Sequence, residues 1–212
     1  VKDFAAVAPV AIVPNLLVVN PSLGVSTVAE LIALARSQPA KIVMASFGAG
    51  TSSHFVGELF KLRAGINIVA VPYRGNQPAV TDLLGGHIPL MFDGIVTSLP
   101  LVNGNKIKAY AIASKTRSPY LPNVPTFAEL GYPDMDFSNW IGVVASAQVP
   151  PALAARINAA VLKAAAAPKL RDRLTAAGFE VGLTQSSDAL AQAVRAESER
   201  NAAIVRTFDI KL

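Results

Sequence analysis

The sequence has no cysteine, one tryptophan, two histidines and three methionines among its 212 residues. The missing cysteines exclude disulfides, thiolate metal ligands, a cysteine nucleophile and C-x-x-C redox chemistry. They leave the compartment open, because an exported protein can do without disulfides. With only His54 and His87, one chain cannot assemble a three-histidine zinc site. No apolar run approaches the ~20 residues of a bilayer-crossing helix. The longest, Phe4 to Pro14, is cut by Pro9 and reads as a strand. Charged residues are also sparse, at 16%, against 52% hydrophobic, which fits a folded core and not a disordered chain. The formal charge of +5 is mild. Its basic residues, such as Lys61, Lys106 and Lys169, are scattered. Without a concentrated patch, finger spacing or interleaved aromatics, no nucleic-acid partner is expected. The first residues show no signal-peptide pattern. A chain opening on Val1 reads as a mature form or as a piece of a longer one.

What is present is an alternation of strands and helices. Leu16 to Val19 is a short branched run closed by Asn20-Pro21, a turn signal. Thr27 and Glu30 form a capping-box pair ahead of Val28, Leu31, Ile32 and Ala35 at helical spacing. Lys41 to Ala45, Ile68 to Val71, Ile88 to Phe92 and Ile107 to Ala113 read as further strands. Helices are expected after residue 51, ending at Gly65, and after Asn76, which is placed as a cap. Such strand-loop-helix steps suit crossover units and a largely parallel sheet. Residues 114–139 are proline-rich and read as a connector with one short helix capped by Thr126 and Glu129. Trp140 to Ala145 and Phe179 to Leu183 read as strands. Helices are expected from Pro151, from Pro168, and from Ser187 to Phe208. The organisation is therefore an α/β unit over 15–135, and a second, less complete unit combining 1–14 with 136–212.

The strongest local feature is Ser46-Phe47-Gly48-Ala49-Gly50-Thr51-Ser52-Ser53. Glycines let the backbone approach a ligand, hydroxyls add donors, and the next helix offers unpaired N–H groups and a positive dipole end. No lysine precedes Thr51, so this is no Walker A loop, and the dinucleotide fingerprint is not met. A carboxylate, a phosphate or a plain structural turn all remain open. His54, in the first helical turn, either donates to a ligand or satisfies a buried carbonyl. His87 reads as a surface or structural residue. Tyr73 and Arg74 end the third strand, where ligands of open sheets bind. There Arg74 either pairs with a carboxylate or is simply solvated. Asp93 either caps the segment Gly94 to Leu99 or accepts from a ligand hydroxyl or amine. No G-x-S-x-G elbow and no locatable carboxylate pair point to an enzyme. No cofactor is expected.

Several motifs in order resemble a known family. They are Asp3-Phe4 with Val7-Ala8-Pro9-Val10; Leu17-Val18-Val19-Asn20-Pro21; Ala45 through His54; and Gly57-Glu58-Leu59-Phe60-Lys61. Val71-Pro72-Tyr73-Arg74-Gly75, Asp82 through His87, Val124 through Pro133 and Trp140-Ile141-Gly142 follow. The chain resembles, over essentially its whole length, the Bug receptors of tripartite tricarboxylate transporters. That resemblance implies a type II-like periplasmic binding protein of α/β fold, with two lobes of mainly parallel sheets. Residues 1–14 and 136–212 would belong to lobe one, and 15–135 would be lobe two. It implies a receptor in the periplasm that closes on a small carboxylate and hands it to a membrane permease. Ser46 to Ser53 would correspond to one carboxylate-holding loop, with His54, Tyr73, Arg74 and Asp93 on the same lobe. It also implies further chain ahead of Val1, carrying leading strands and a glycine-rich loop of lobe one. Lobe one is thus expected to be incomplete and to self-associate through exposed apolar surface.

Overall fold

The computed structural model describes residues 3–181 and 186–208. The chain divides into two compact units, one built on residues 14–139, the other on residues up to 13 and from 140 onward.

In the unit of residues 14–139, strand β1 (Phe4–Val19) supplies its second half to a sheet with β2 (Val43–Ser46), β3 (Val69–Pro72), β4 (Leu90–Gly94) and β5 (Lys108–Ala113). The order is β3-β2-β4-β1-β5. β2 is parallel to β3 and β4, whereas β1 is antiparallel to β4 and β5. Four strands thus run one way and β1 runs against them. The sheet is mainly parallel, with one reversal that the alternating pattern does not reveal. β1 is also a single strand, not the two separate runs read from the sequence. Pro9 and Pro14 lie within it and do not break it.

Helix α1 (Val28–Ser37) buries Val28, Leu31, Ile32 and Ala35, the four positions marked by spacing. Thr27 Oγ1 accepts from the Glu30 N–H at 3.1 Å, and Glu30 returns a bond to the Ser26 N–H at 2.6 Å. The capping box therefore closes one residue further out than expected. Helix α2 (Ser52–Ala64) ends at Gly65, whose φ of 60° is left-handed. Its Gly57 lies against β2: a Cβ there would stand 2.3 Å from Met44 Cε. Helix α3 (Asn76–Leu84) starts after Gly75, which holds the N-cap position expected for Asn76. Helix α4 (Ile95–Asn103) runs beyond the segment Gly94 to Leu99 that the sequence offered as capped by Asp93. Pro100 lies inside it and no side chain caps its start, although Gly104 follows its end. The core centres on Phe60, Phe92 and Phe127, fully buried with ring centroids 5.7–5.9 Å apart.

The expected helix at Thr126 is corrected to a turn. The reciprocal Thr126–Glu129 bonds form, at 2.7 and 3.1 Å, but Gly131 at φ 90° reverses the chain before a second helical turn. Thr126 instead bridges Ile112.

The other unit holds the first half of β1, which pairs with β6 (Ser138–Ser146), and three helices: α5 (Pro151–Ala165), α6 (Pro168–Ala176) and α7 (Ser187–Phe208). Asn158 of α5 and Ser187 of α7 both donate to the Val7 carbonyl, at 2.6 and 2.8 Å. Trp140 Nε1 donates to Glu197 at 2.9 Å. Neither α5 nor α6 has a buried residue. Phe4, Ile141, Val144, Leu153 and Leu170 are exposed. A groove of about 780 Å³ runs beside Phe4, Trp140, Val144 and Val194. The strand expected at 179–183 is reduced to a bridge between Ile12 and Glu180, and residues 182–185 lie outside the described residues. No described helix is long and apolar enough to cross a membrane.

Candidate functional site

Because β2, β3 and β4 are parallel, Ser46, Pro72 and Gly94 end them at one edge of the sheet. Helices α2, α3 and α4 begin just beyond. Each helix start leaves backbone N–H groups without helical partners. The edge is therefore rich in donors before any side chain is counted.

The loop after β2 is held by its own side chains. Gly48 and Gly50 take φ of 113° and 78°, where a Cβ is strained. Thr51 Oγ1 donates to the Gly48 carbonyl at 2.8 Å. Its proton being used, its 3.1 Å contact with Ser53 Oγ requires Ser53 to donate. Ser53 Oγ in turn accepts from the Phe47 N–H at 3.0 Å. The Gly50 N–H goes to His54 Nδ1 at 3.3 Å, which places the ring proton on Nε2. So Thr51, Ser53 and His54 shape the loop. Among the described residues, the N–H groups of Gly48, Ala49, Ser52, Ser53 and His54 have no protein acceptor, because the helical ladder starts at Phe55 N–H to Thr51 O. The sequence suggested that hydroxyls would be ligand donors. Of the three in this loop's 51–53 stretch, Ser52 alone has no protein partner among the described residues, while Thr51 and Ser53 are engaged.

The Tyr73 N–H donates to Ser46 O at 2.7 Å, tying the end of β3 to this loop. Its hydroxyl donates to Asp82 at 2.6 Å. Burial, together with that carboxylate, pushes the phenol up to about 12. Arg74 is exposed and forms no ion pair among the described residues. His87 is exposed at the end of α3.

Asp93 is 1% exposed. It is not the N-cap of α4, a position held by Gly94. Its carboxylate accepts from Ser98 Oγ at 2.5 Å, from Asn76 Nδ2 and from the Gly94 N–H. Burial nevertheless pushes it up to about 6, against the three donors. Both of its oxygens are taken by protein groups, so it fastens the starts of α3 and α4. The sequence marked Asn76 only as a helix cap, and Ser98 was not singled out. The one available signal was a cap-type residue, Asn76, directly after a glycine. No described residues form a cluster of three or more His, Asp or Glu able to hold a metal.

A mainly parallel sheet with helix starts gathered at one edge, matched by solved periplasmic binding proteins, defines the class: an α/β periplasmic binding fold. A structure from R. palustris with adipate superposes with a TM-score of 0.91 at 33% identity, covering 99% of this chain and 70% of that one. MatC from Rhodopseudomonas palustris, with bound malate, gives 0.88 at 31%, covering 95% and 69%. The chain belongs to the tripartite tricarboxylate transporter family of receptors, whose pattern matches residues 1–210. BugT of Bordetella pertussis is 33% identical over 211 residues, covering 100% of this chain and 64% of its own. A Pseudomonas sp. relative is 34% identical and is covered over 59% of its length. The chain thus spans about 59–64% of these two relatives.

Proposed function

We propose that this protein is a periplasmic receptor that captures a small carboxylate and delivers it to a membrane permease. One observation carries the reading: the unpaired N–H groups at the start of α2, in a family with members solved around adipate and malate. Aligned main-chain donors and the dipole of a 13-residue helix neutralise a carboxylate without a salt bridge. Ser52 Oγ, His54 Nε2–H and the Arg74 guanidinium are side-chain donors close in sequence to that edge. Tyr73, with its hydroxyl on Asp82, serves as a wall. Asp93 supports the edge from within. The same reading makes the protein a binder that returns its ligand unchanged, with no catalytic group assigned.

Calorimetric titration with adipate, malate and aromatic acids tests this. Saturable binding of one acid, with that acid recovered intact, is expected. Failure of every small acid to bind overturns the reading. The exposed apolar residues of the unit containing α5 and α6 support self-association as well. Light scattering on a size-exclusion column is expected to show concentration-dependent multimers, and a constant 22.1 kDa species would refute this part.

A further inference from the structure

Asp93 is an acid buried beside the start of two helices, and among the described residues no cation pairs with it. The elements packed against β4 are α2, α3, α4, β2 and β1. Strands β1 and β2 and helix α4 carry no charged residue. On α2, Glu58 pairs with Lys61, Arg63 bonds Asp134, and His54 Nδ1 accepts from Gly50. On α3, Asp82 accepts from Tyr73. None of these groups bonds Asp93, whose partners are Asn76, Ser98 and Gly94.

A second observation concerns the proton. Asn76 Oδ1 is buried and has no hydrogen-bond partner among the described residues. An ionised carboxylate can only accept, so the amide presents its NH2 to Asp93 and its oxygen is stranded. A protonated carboxyl can donate. With the amide turned end for end, Asn76 Oδ1 receives that proton while Ser98 keeps donating to the other oxygen. The cluster thus accommodates a proton through one side-chain rotation.

We propose that ligand capture at this edge is proton-linked: a carboxylate seated at the start of α2 draws a fraction of a proton, set by pH, from solvent onto Asp93. This rests on the receptor reading above. A ligand anion places a like charge at the edge where β4 ends, and like charges favour the neutral acid. The balance is simple: a free carboxylate, a solvent proton and the ionised receptor give a complex in which Asp93 is neutral, with no other bond made or broken. Burial already leaves Asp93 partly protonated near pH 6. For a coupling of about tenfold, about half a proton is taken up per ligand at pH 6.5. Affinity is then about 2.5-fold tighter at pH 6.5 than at pH 7.5.

The test is calorimetry with adipate in buffers of different ionisation enthalpy between pH 6 and 7.5. Wild type, Asp93→Asn and Ser98→Ala are compared. Adipate's own titration is common to all three, so the difference between proteins isolates the receptor's proton. The expected result is uptake that disappears in Asp93→Asn. In Ser98→Ala its maximum moves to higher pH, because a donor that favours the ionised form is gone. Adipate binding with equal uptake in wild type and Asp93→Asn overturns the proton link and leaves the receptor reading intact. Should Asp93→Asn fail to fold, an unmoved maximum in Ser98→Ala overturns it equally. No binding of adipate, malate or other small acids by wild type overturns the receptor reading and this inference together.

Discussion

Gly50 shows how much of the candidate site rests on one backbone angle. At φ 78° it presents its N–H to His54 and turns the chain so that the N–H groups of Ser52, Ser53 and His54 stay unpaired. Gly50→Val forces a branched residue into the left-handed region, at about 1–2 kcal/mol of strain. The variant is expected to remain folded and to lose ligand binding by calorimetry. Undiminished affinity would move the site elsewhere. At the same scale, Asp93 makes a pH prediction of definite sign. Its value rises from 3.8 to about 6 on folding, so between those values the folded state holds more protons than the unfolded. Its contribution to stability is greatest below about pH 4 and falls as pH rises through 6. Ionised, it costs about 2–3 kcal/mol, an order-of-magnitude figure. Asp93→Asn should therefore be more stable than wild type at pH 7, and the gap should close towards pH 4. Urea unfolding at several pH values reads this directly. The identity of Asp93 as a candidate was legible in the sequence, since it follows the apolar run Ile88 to Phe92. Its burial and its bond to Asn76 were not, because pairing across 17 residues depends on how β4 and α3 come together.

The elements divide into those whose signals are local and those whose signals are not. Helix α1 was readable from its cap and apolar stripe, and α2 from its apolar positions and the Gly65 stop. The extent of helix α4 was hidden by its interior proline. The turn at Thr126 shows the converse, a complete capping pair that starts no helix because Gly131 and the bridge to Ile112 pull the chain away. What holds that turn is packing: Phe127 lies against both Phe60 and Phe92, which also touch each other. Phe127→Ala should destabilise the protein by about 3–5 kcal/mol, measured by chemical unfolding. Thr27→Ala, which removes one capping bond of α1, should cost only about 1 kcal/mol. Equal losses in the two variants would contradict the central role of the aromatic trio.

For the whole molecule, burial is uneven. The unit of residues 14–139 contains nearly all of the fully buried side chains, whereas α5 and α6 contribute none. Regions with few buried apolar contacts open at low free energy. Hydrogen exchange on the intact chain is expected to be slowest in β2, β4 and the second half of β1, and much faster in α5 and α6. Uniform protection would argue that the apolar surface is covered in solution. The reversal of β1 within a parallel sheet was the largest feature not readable locally, because strand direction is a property of the pairing and not of the segment. That strand has a further consequence. Pro14, where one unit gives way to the other, sits inside continuous β structure and not in a linker. A protease nick or a gene split there divides β1 itself, so neither product inherits the whole strand, although the pairings with β4 and β5 all lie from Asn15 onward. Evolution can exchange the two units as modules only by remaking β1.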